Sequence, residues 1–225
     1  IFRDKIENFP QFVENLNFAI ENHFVNTSIN KNKKYKDTDK FKFHHFPLEF
    51  GSPFDHARQV PINKIKTKWV LIVDTDEKIT SSFIKYVKGK LDSYEKDDVN
   101  GILVPRLNHV LGKPLNFSSE WPDYQLRLMR KNKVKFSNTI HSFYPDLKKI
   151  RFIPKDKSLA IKHYALENIE SFIQRQNVYS SIESKYLKRN SNFIMPLFFA
   201  LKDFIARYIR MKGFLDGKRG FIWTF

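Results

Sequence analysis

Cysteine is absent from this chain of 225 residues, and so are long apolar runs. Without cysteine there is no disulfide framework, no thiolate zinc site and no cysteine nucleophile, so a metal would be bound through oxygen or imidazole ligands. No apolar stretch reaches the ~18 residues of a membrane-spanning helix, and no apolar leader opens the chain. We therefore expect a soluble or peripheral protein, located in the cytoplasm or on the inner face of the membrane.

Acidic residues are scarce relative to basic ones. The chain has 24 Asp and Glu against 40 Lys and Arg, which gives a formal net charge of +16 at pH 7. This balance favours polyanionic partners such as nucleic acid, anionic lipid headgroups or phosphorylated substrates, and charge alone does not choose among them. Hydrophobic residues make up 41% of the chain and include 23 Phe, which is too apolar for a disordered chain. We therefore expect one main folded domain with room for a small C-terminal extension.

A strand, an acidic turn and a helix follow one another in the middle of the chain. The run Trp69–Val73 has no polar alternation, which is typical of a strand covered on both faces in a parallel sheet. It stops at Asp74, and Ser81 or Ser82 then caps a helix with one apolar stripe. Gly101–Leu107 has the composition of a second buried strand. This order of elements predicts an α/β fold.

Weaker patterns complete the chain. Helical spacing in residues 1–22 predicts one or two short helices, and residues 28–42 are polar enough to predict a solvated loop. Alternating residues predict a hairpin, with Tyr124–Met129 as its first strand and a return through Val134 and Phe136, and Leu159–Tyr164 predicts a further strand. Two amphipathic helices are predicted after it, one over residues 167–186 and one over residues 193–212 that ends at Gly213. We predict an α/β domain over residues 1–166 and a helical extension over residues 167–225.

The acidic run Asp74-Thr75-Asp76-Glu77 is the strongest candidate for chemistry. Side chains two apart in extended backbone lie on one side, so Asp74 and Asp76 are expected to project together from the carboxyl edge of the sheet, where open α/β sheets bind ligands. Carboxylates there, with substrate phosphates, suit Mg²⁺ or Mn²⁺, which would neutralise charge on a departing diphosphate. The alternative interpretation is a polar turn with an acid at a helix start.

An ordered series of short motifs surrounds this turn. The motifs are Ala57-Arg58, Trp121-Pro122-Asp123-Tyr124-Gln125-Leu126-Arg127-Leu128, Ile140-His141, Ile161-Lys162-His163-Tyr164, Asn177-Val178-Tyr179 and Gly213-Phe214-Leu215-Asp216-Gly217 with Gly220-Phe221. In this order they resemble the family 2 glycosyltransferases of the GT-A fold, especially the branch acting on lipopolysaccharide cores and related surface glycans. The resemblance covers roughly residues 50–225. It implies a GT-A-like, Rossmann-like mixed sheet flanked by helices.

The resemblance implies roles on the donor side of a transferase site. Asp76 would be the metal ligand of the family's Asp-x-Asp signature, and Asp74 would lie near the donor ribose or the water shell of the metal. Arg58 would face the nucleotide. His141 matches a position near the diphosphate and the metal. The implied cofactor is a divalent metal, Mn²⁺ or Mg²⁺.

The resemblance also implies roles on the acceptor side. Asp123 would be the general base that deprotonates the acceptor hydroxyl, and Arg127 would orient Asp123 or bind a phosphate, since a guanidinium suits both tasks. An inverting transfer needs one such carboxylate and no protein nucleophile. The implied activity is transfer of a hexose from a nucleotide-sugar donor to a glycan or lipid-linked acceptor in cell-envelope polysaccharide synthesis.

Three features depart from the family pattern. Gln59 stands after Ala57-Arg58 where the family usually has Asn, and Ser142 follows His141 where Glu is frequent. No Val- and Ile-rich strand precedes residue 45, so the N-terminal nucleotide-binding strand of the family is missing from the pattern.

Two other functions remain open at this point. The charge and aromatic content are also the ingredients of a nucleic-acid-binding protein, but the basic residues are dispersed and no binding module is recognised, so nucleic acid is not the expected partner. A transferase-like scaffold without catalysis is the second alternative. The Phe-rich and basic sides of the helix over residues 193–212 suit either an ordinary surface helix or an anionic membrane surface.

Overall fold

The computed structural model describes residues 2, 9–29, 35–48, 55–134, 136, 149–166, 168–186 and 194–225. Its α-helices are α1 (Phe9–Glu14), α2 (Gln59–Lys64), α3 (Ser81–Lys96), α4 (Ile169–Tyr186), α5 (Ile194–Ile205) and α6 (Lys218–Thr224). Its strands are β1 (Asn22–Asn26), β2 (Phe41–His45), β3 (Trp69–Leu71), β4 (Glu77–Lys78), β5 (Gly101–Val110), β6 (Lys113–Pro114), β7 (Asp123–Arg130), β8 (Ile150–Phe152) and β9 (Ile161–Leu166).

The described strands belong to two sheets. β1 and β2 form a parallel pair, and the other seven strands form a mixed sheet with neighbours in the order β3-β7-β5-β9-β4. β6 and β8 also pair with β5, antiparallel and parallel respectively. The predicted α/β class, with a mixed sheet flanked by helices, is confirmed.

The chain divides into two compact units. Unit 1 comprises residues 1–104 and 125–161, and unit 2 comprises residues 105–124 and 162–225. Both units are discontinuous in the sequence. The domain boundary predicted at residue 166 stays a prediction.

α3 supplies one side of the main core of unit 1. The Thr80 side chain accepts a hydrogen bond from the backbone N–H of Phe83 (3.1 Å), so the cap lies one residue before the predicted Ser81. Phe83, Val87 and Tyr94 then bury the apolar stripe of the helix. They pack in a cluster with strand residues such as Ile102. The predicted helix and the predicted buried strand after it are both confirmed.

β3 is shorter than predicted and runs in the other direction relative to its neighbour. It pairs antiparallel with β7 and lies at one end of the strand order, so the predicted parallel arrangement is wrong. The prediction of two covered faces is correct: Trp69, Leu71 and Val73 pack on the cluster around α3, whereas Val70 and Ile72 pack on a second cluster. A strand covered on both faces has the same apolar pattern whichever way its neighbour runs.

The first 48 residues contain a pair of strands that the sequence did not indicate. β1 is buried at four of its five positions, and Phe24 of β1 stacks on Phe43 of β2 with ring centroids 5.0 Å apart. Tyr35, within the predicted solvated loop, stacks on Phe43 as well (5.3 Å). Aromatic rings therefore provide the core here in place of Val and Ile.

Unit 2 packs around Val110, Leu115 and Leu166, with Phe172 of α4 and Trp223 of α6 against them. The helix predicted over residues 167–186 is confirmed as α4. Among the described residues, none of the helices has both the length and the apolar character needed to cross a membrane.

The helix predicted over residues 193–212 is observed as α5 followed by a π-helical segment, Ala206–Arg210. Gly213 is predicted to end this helix, but the left-handed backbone conformation that ends it belongs to Lys212 (φ 58°). Gly213 instead allows a close approach, since a Cβ atom there would lie 2.2 Å from Ser118 Oγ and 2.9 Å from the carbonyl oxygen of Arg207.

Candidate functional site

The acidic turn follows β3 in unit 1 and is closed by two hydrogen bonds. The backbone N–H of Glu77 donates to the carbonyl oxygen of Asp74 (3.0 Å), and the backbone N–H of Asp74 donates to Glu77 Oε2 (3.0 Å). The Glu77 side chain is fully buried (0% exposed). The backbone on both sides of Asp76 is therefore fixed by the fold.

Two arginines hold the carboxylate of Asp74. Arg58, in the short helix Asp55–Arg58, donates from Nη2 to Asp74 Oδ1 (2.9 Å), and Arg127 of β7 donates from Nη2 to Asp74 Oδ2 (2.7 Å). Arg127 also donates to Glu77 Oε1. Both oxygens of Asp74 thus accept charge-assisted hydrogen bonds.

Burial and the two guanidinium groups act on Asp74 in opposite directions. Burial alone would raise the pKa of the Asp74 carboxyl, but the charges of Arg127 and Arg58 outweigh it and hold the pKa well below its ordinary value. Burial alone would lower the pKa of Arg127, but Glu77 and Asp74 raise it. Asp74 and Arg127 are therefore both charged at neutral pH.

Gln59 is held by structural contacts. Its Nε2 donates to Asn63 Oδ1 (2.8 Å), and its Oε1 accepts from the backbone N–H of Phe136 (2.8 Å). These two bonds use both ends of the amide that stands where the family usually has Asn.

Asp123 lies at the start of β7, in unit 2, and its carboxylate is held from β5. Arg106 donates to Asp123 Oδ2 from Nε (2.8 Å) and from Nη2 (2.6 Å), and Asn108 Nδ2 donates to the same oxygen (3.2 Å). Arg106 and Asn108 are two positions apart on one strand, so their side chains lie on the same face. The Asp123 side chain is 21% exposed, so the carboxylate is oriented by the protein and still reaches solvent.

The hydrogen-bond network around Asp123 extends to three more side chains of unit 2. Asn108 Nδ2 also donates to Glu120 Oε2 (2.8 Å), and Arg207 donates to Glu120 Oε1. Since the amide nitrogen of Asn108 faces two carboxylates, its Oδ1 is the acceptor toward His163, and His163 Nδ1 is the donor (2.7 Å). His163 therefore belongs to a polar network rather than to an apolar core.

No family model matches this chain. It is similar to the crystal structure of S. aureus TarS, with 15% identity and a TM-score of 0.50 over 95% of this chain and 44% of that chain. The crystal structure of S. aureus TarS 1–349 has 15% identity and a TM-score of 0.48, over 94% of this chain and 72% of that chain. The structure of S. aureus TarS 1–349 in complex with UDP has 16% identity and a TM-score of 0.47, over 93% of this chain and 70% of that chain. TarS is a family 2 glycosyltransferase of GT-A type.

The chain has a GT-A-like fold. The fold predicted from the ordered motifs is thereby confirmed, on the similarity to the longer TarS structure. In this GT-A-like fold the acidic turn comes directly after the carboxyl end of β3, and that end of the strands is where open α/β sheets bind ligands. The chain spans 44% of the length of that TarS chain.

Asp76, the acid that the resemblance assigns to a metal, is half-buried. Both oxygens of Asp74 accept hydrogen bonds from arginine. In the part of the chain that the structure describes, no three His, Asp or Glu side chains are grouped so as to hold a metal on their own. Mg²⁺ is commonly held by one or two carboxylates plus substrate phosphates, so the number of carboxylates in this turn is compatible with a site of that kind.

The structure brings three of the predicted site residues together in unit 1, namely Arg58, Asp74 and Arg127. Asp123 belongs to unit 2 and has its own partners. His141 lies outside the described residues, and its role at a metal stays a prediction, as do the catalytic and binding roles of the other predicted residues.

Sequence reasoning missed Glu77, Arg106 and Asn108 as parts of these clusters. Arg106 and Asn108 lie on a single face of a strand whose only other polar side chain is His109. This spacing was a usable signal, because polar residues at alternate positions of a buried strand need partners. Glu77 gave a weaker signal, since an acid at the end of an acidic run is ordinarily exposed.

Proposed function

We propose that this chain is an inverting glycosyltransferase that moves a hexose from a nucleotide-sugar donor to a glycan or lipid-linked acceptor. The GT-A-like fold supports a transferase of this type. The observation that carries the proposal is the Arg58–Asp74–Arg127 cluster, which fixes the acidic turn at the carboxyl end of β3. A turn that was only a surface connection would not require two arginines on one half-buried carboxylate.

On the donor side, Asp76 would bind Mn²⁺ or Mg²⁺ together with the donor phosphates. The ion would act as a Lewis acid that neutralises charge on the departing nucleoside diphosphate. Arg58, whose side chain is 16% exposed, would add positive charge near the nucleotide while its bond to Asp74 keeps the guanidinium in place. Asp74 would serve the site by positioning both arginines.

On the acceptor side, Asp123 would be the general base. Its carboxylate would take the proton of the acceptor hydroxyl as that oxygen forms a bond to the anomeric carbon, while the bond from that carbon to the diphosphate oxygen breaks on the opposite face. The electron pair leaves with the diphosphate, so configuration inverts and no covalent enzyme intermediate is needed. Arg106 and Asn108 would keep the carboxylate oriented, which is a requirement for efficient proton transfer.

The direct test is turnover of a panel of nucleotide sugars that includes UDP-hexoses, with Mn²⁺, with Mg²⁺ and with EDTA. We expect Asp76→Asn to weaken donor binding and lower kcat, and Asp123→Asn to lower mainly kcat, by on the order of 10²–10⁴-fold. Asp92→Asn, on the exposed side of α3, is the matched control and should behave as wild type.

Full activity in the Asp76 and Asp123 variants would contradict the assigned roles. Donor binding by the wild type, without turnover of any donor, would instead favour a transferase-like scaffold that does not catalyse.

The acceptor, if lipid-linked, would require a surface that meets the membrane, and α5 offers one. Its large apolar side chains are 46–62% exposed: Met195, Leu197, Phe198, Phe199, Leu201 and Ile205. Lys202 on the same helix, with Arg210 and Lys212 after it, adds exposed positive charge. This combination suits a helix lying in an anionic membrane interface.

A further inference from the structure

Glu120 lies between β6 and β7 in unit 2, and its side chain is 12% exposed. Both of its carboxylate oxygens accept hydrogen bonds, Oε1 from Arg207 and Oε2 from Asn108 Nδ2 (2.8 Å). A carboxylate that is taken out of water needs partners of this kind, because its charge is costly to bury alone. Since both oxygens are engaged, Glu120 is suited to holding a neighbouring group and not to taking up a proton.

The segment that carries Glu120 has an uncommon backbone conformation. Ser118 and Ser119 are both left-handed, with φ of 59° and 66°. Residues other than glycine hold this conformation where the surrounding structure imposes it, and such positions cluster at functional sites. The N–H of Ser118 donates to the carbonyl of Met211 (3.0 Å), and the N–H of Glu120 donates to the carbonyl of Phe117 (3.0 Å). These bonds fix the segment, and with it the place of Glu120.

Arg207 reaches Glu120 from an irregular part of the C-terminal helical region. It lies in the π-helical segment Ala206–Arg210, which follows α5. Single π-helical turns are rare in proteins and are frequent at functional sites. The Arg207 side chain is 28% exposed, so its guanidinium extends from the surface to the buried carboxylate. The C-terminal part of unit 2 thereby holds a carboxylate that lies 87 positions earlier in the chain.

Asn108 passes this constraint on to Asp123. The two hydrogens of its Nδ2 go to Glu120 Oε2 (2.8 Å) and to Asp123 Oδ2 (3.2 Å), and its Oδ1 accepts from His163 Nδ1 (2.7 Å). If the amide were turned around, its oxygen would face two carboxylates and its NH₂ group would face the N–H of His163. Glu120 therefore keeps an N–H donor of Asn108 directed at Asp123.

We propose that Glu120 is a positioning residue for the general base of the reaction. Held by Arg207, its carboxylate keeps the Asn108 amide in the orientation that bonds Asp123. The Asp123 carboxylate then keeps one orientation toward the acceptor hydroxyl. This inference rests on the proposed function, in which Asp123 takes the acceptor proton. Because proton transfer depends first on geometry, loss of this orientation slows the chemical step and leaves the donor contacts of unit 1 as they are.

Glu120→Gln tests the inference, because it keeps the size of the side chain and removes its charge. The two ends of the new amide are interchangeable, so the Asn108 amide is no longer held one way round. We expect kcat to fall by on the order of 10–100-fold, while KM for the donor changes by less than about twofold. In combination with Asp123→Asn, the same change should lower the residual kcat no further, since a positioning residue acts only through the group that it positions.

The matched control is Glu170→Gln, at an exposed position of α4 in the same unit, which should behave as wild type. Arg207→Lys keeps a positive charge for Glu120 and should retain more of kcat than Arg207→Met. A second measurement needs no turnover. We expect the side-chain amide signals of Asn108 in NMR spectra to move in Glu120→Gln and to stay in place in Glu170→Gln.

An equal fall of kcat on Glu120→Gln with and without Asp123→Asn would overturn the inference, because Glu120 would then act on the fold as a whole. Unchanged Asn108 amide signals in the Glu120 variant would overturn it as well, even for a protein that turns over no donor. Absence of turnover in the wild type, together with moved Asn108 signals, would contradict the proposed function and uphold the hold of Glu120 on Asn108.

Discussion

Arg127 connects parts of the chain that are far apart in the sequence. Its guanidinium bonds to Asp74, 53 positions away, and to Glu77, 50 positions away. The Arg127 side chain is 8% exposed and that of Glu77 is 0% exposed, so these charges lie in a region where solvent screens them little. Arg127 therefore stabilises unit 1 whether or not it also contacts a substrate.

Replacing Arg127 tests this directly. We expect Arg127→Met to lower the free energy of unfolding by about 3 kcal/mol, because it leaves two carboxylates in the fold without their shared cation. Arg127→Lys should lose less, since an ammonium keeps the charge but not the planar fork. Urea unfolding measures both values. Arg151→Met, at an exposed position of β8, is the control and should change stability by less than about 0.5 kcal/mol.

The partners of Arg127 could not have been identified from the sequence. The motif Asp74-Thr75-Asp76-Glu77 predicted a turn after a strand, and the structure has a turn there, but the pairing of Asp74 with Arg127 depends on the register between β3 and β7. Register is set by burial and turn geometry over the whole sheet, which a single sequence does not reveal. The sequence therefore predicted the acidic turn correctly and left its arginine partners unassigned.

The C-terminal segment of unit 2 depends on a contact between two glycines. A Cβ atom at Gly220, in α6, would lie 1.9 Å from the carbonyl oxygen of Gly213. The Asp216 carboxylate accepts hydrogen bonds from the backbone N–H groups of Asn116 (3.0 Å) and Phe117 (3.0 Å), which ties this segment to the rest of unit 2. The tail motif that supported the family resemblance thus has a packing role.

Alanine at Gly220 should therefore destabilise the protein. We expect Gly220→Ala to lower the free energy of unfolding by at least about 1–3 kcal/mol, since backbone rather than a flexible side chain occupies the space. Gly89→Ala is the matched control: Gly89 lies in α3 with nothing within 4 Å of an added Cβ. Alanine in that helix should stabilise by roughly 0.5–1 kcal/mol. Thermal or urea unfolding measures both variants. A change in the free energy of unfolding that has the same sign in both would contradict the packing role.

The elements that could be predicted are those with long periodic patterns. α3, β5 and α4 follow from apolar spacing alone, because burial on one face or on both imposes that spacing. β1 and β2 could not be predicted in this way. Their sequences, Asn-His-Phe-Val-Asn and Phe-Lys-Phe-His-His, carry one Val between them, and their burial comes from aromatic packing with Tyr35 and Phe9.

The exposed apolar face of α5 leads to a prediction about membranes. We expect the protein to sediment with vesicles that contain phosphatidylglycerol and much less with neutral vesicles, since basic residues near the surface each contribute about 1 kcal/mol. Changing both Phe198 and Phe199 to Ser should reduce the bound fraction by on the order of tenfold, because both side chains would insert into the interface.

The control for that experiment is Phe152→Ser. Phe152 is 59% exposed on β8 in unit 1, and Phe198 is also 59% exposed, so the two positions match in exposure and chemistry. Equal loss of vesicle binding in the Phe152 variant and the α5 variant would show general stickiness rather than a role for α5.

For the whole molecule, the net charge of +16 is the property that the fold does not explain. A GT-A-like fold has no need of it, whereas anionic lipid, phosphorylated donors and nucleic acid would all be attracted by it. The same positive charge therefore supports a transferase at a membrane and a nucleic-acid binder equally well. Turnover of a nucleotide sugar separates these functions, and so do the affinity, the base preference and the salt dependence of nucleic-acid binding.

Binding of single-stranded RNA and DNA should accordingly be weak and nonspecific. We expect Kd values of about 10⁻⁴–10⁻⁶ M near physiological salt, without base preference, and a steep fall in affinity between 50 and 200 mM salt because released counterions drive the binding. Fluorescence anisotropy with labelled oligonucleotides of several sequences measures these values. Donor binding, followed in the same buffers, should change far less, since it depends on a few short contacts and a metal. A Kd of about 10⁻⁸ M or lower for one RNA sequence at 150 mM salt would favour the nucleic-acid-binding function instead.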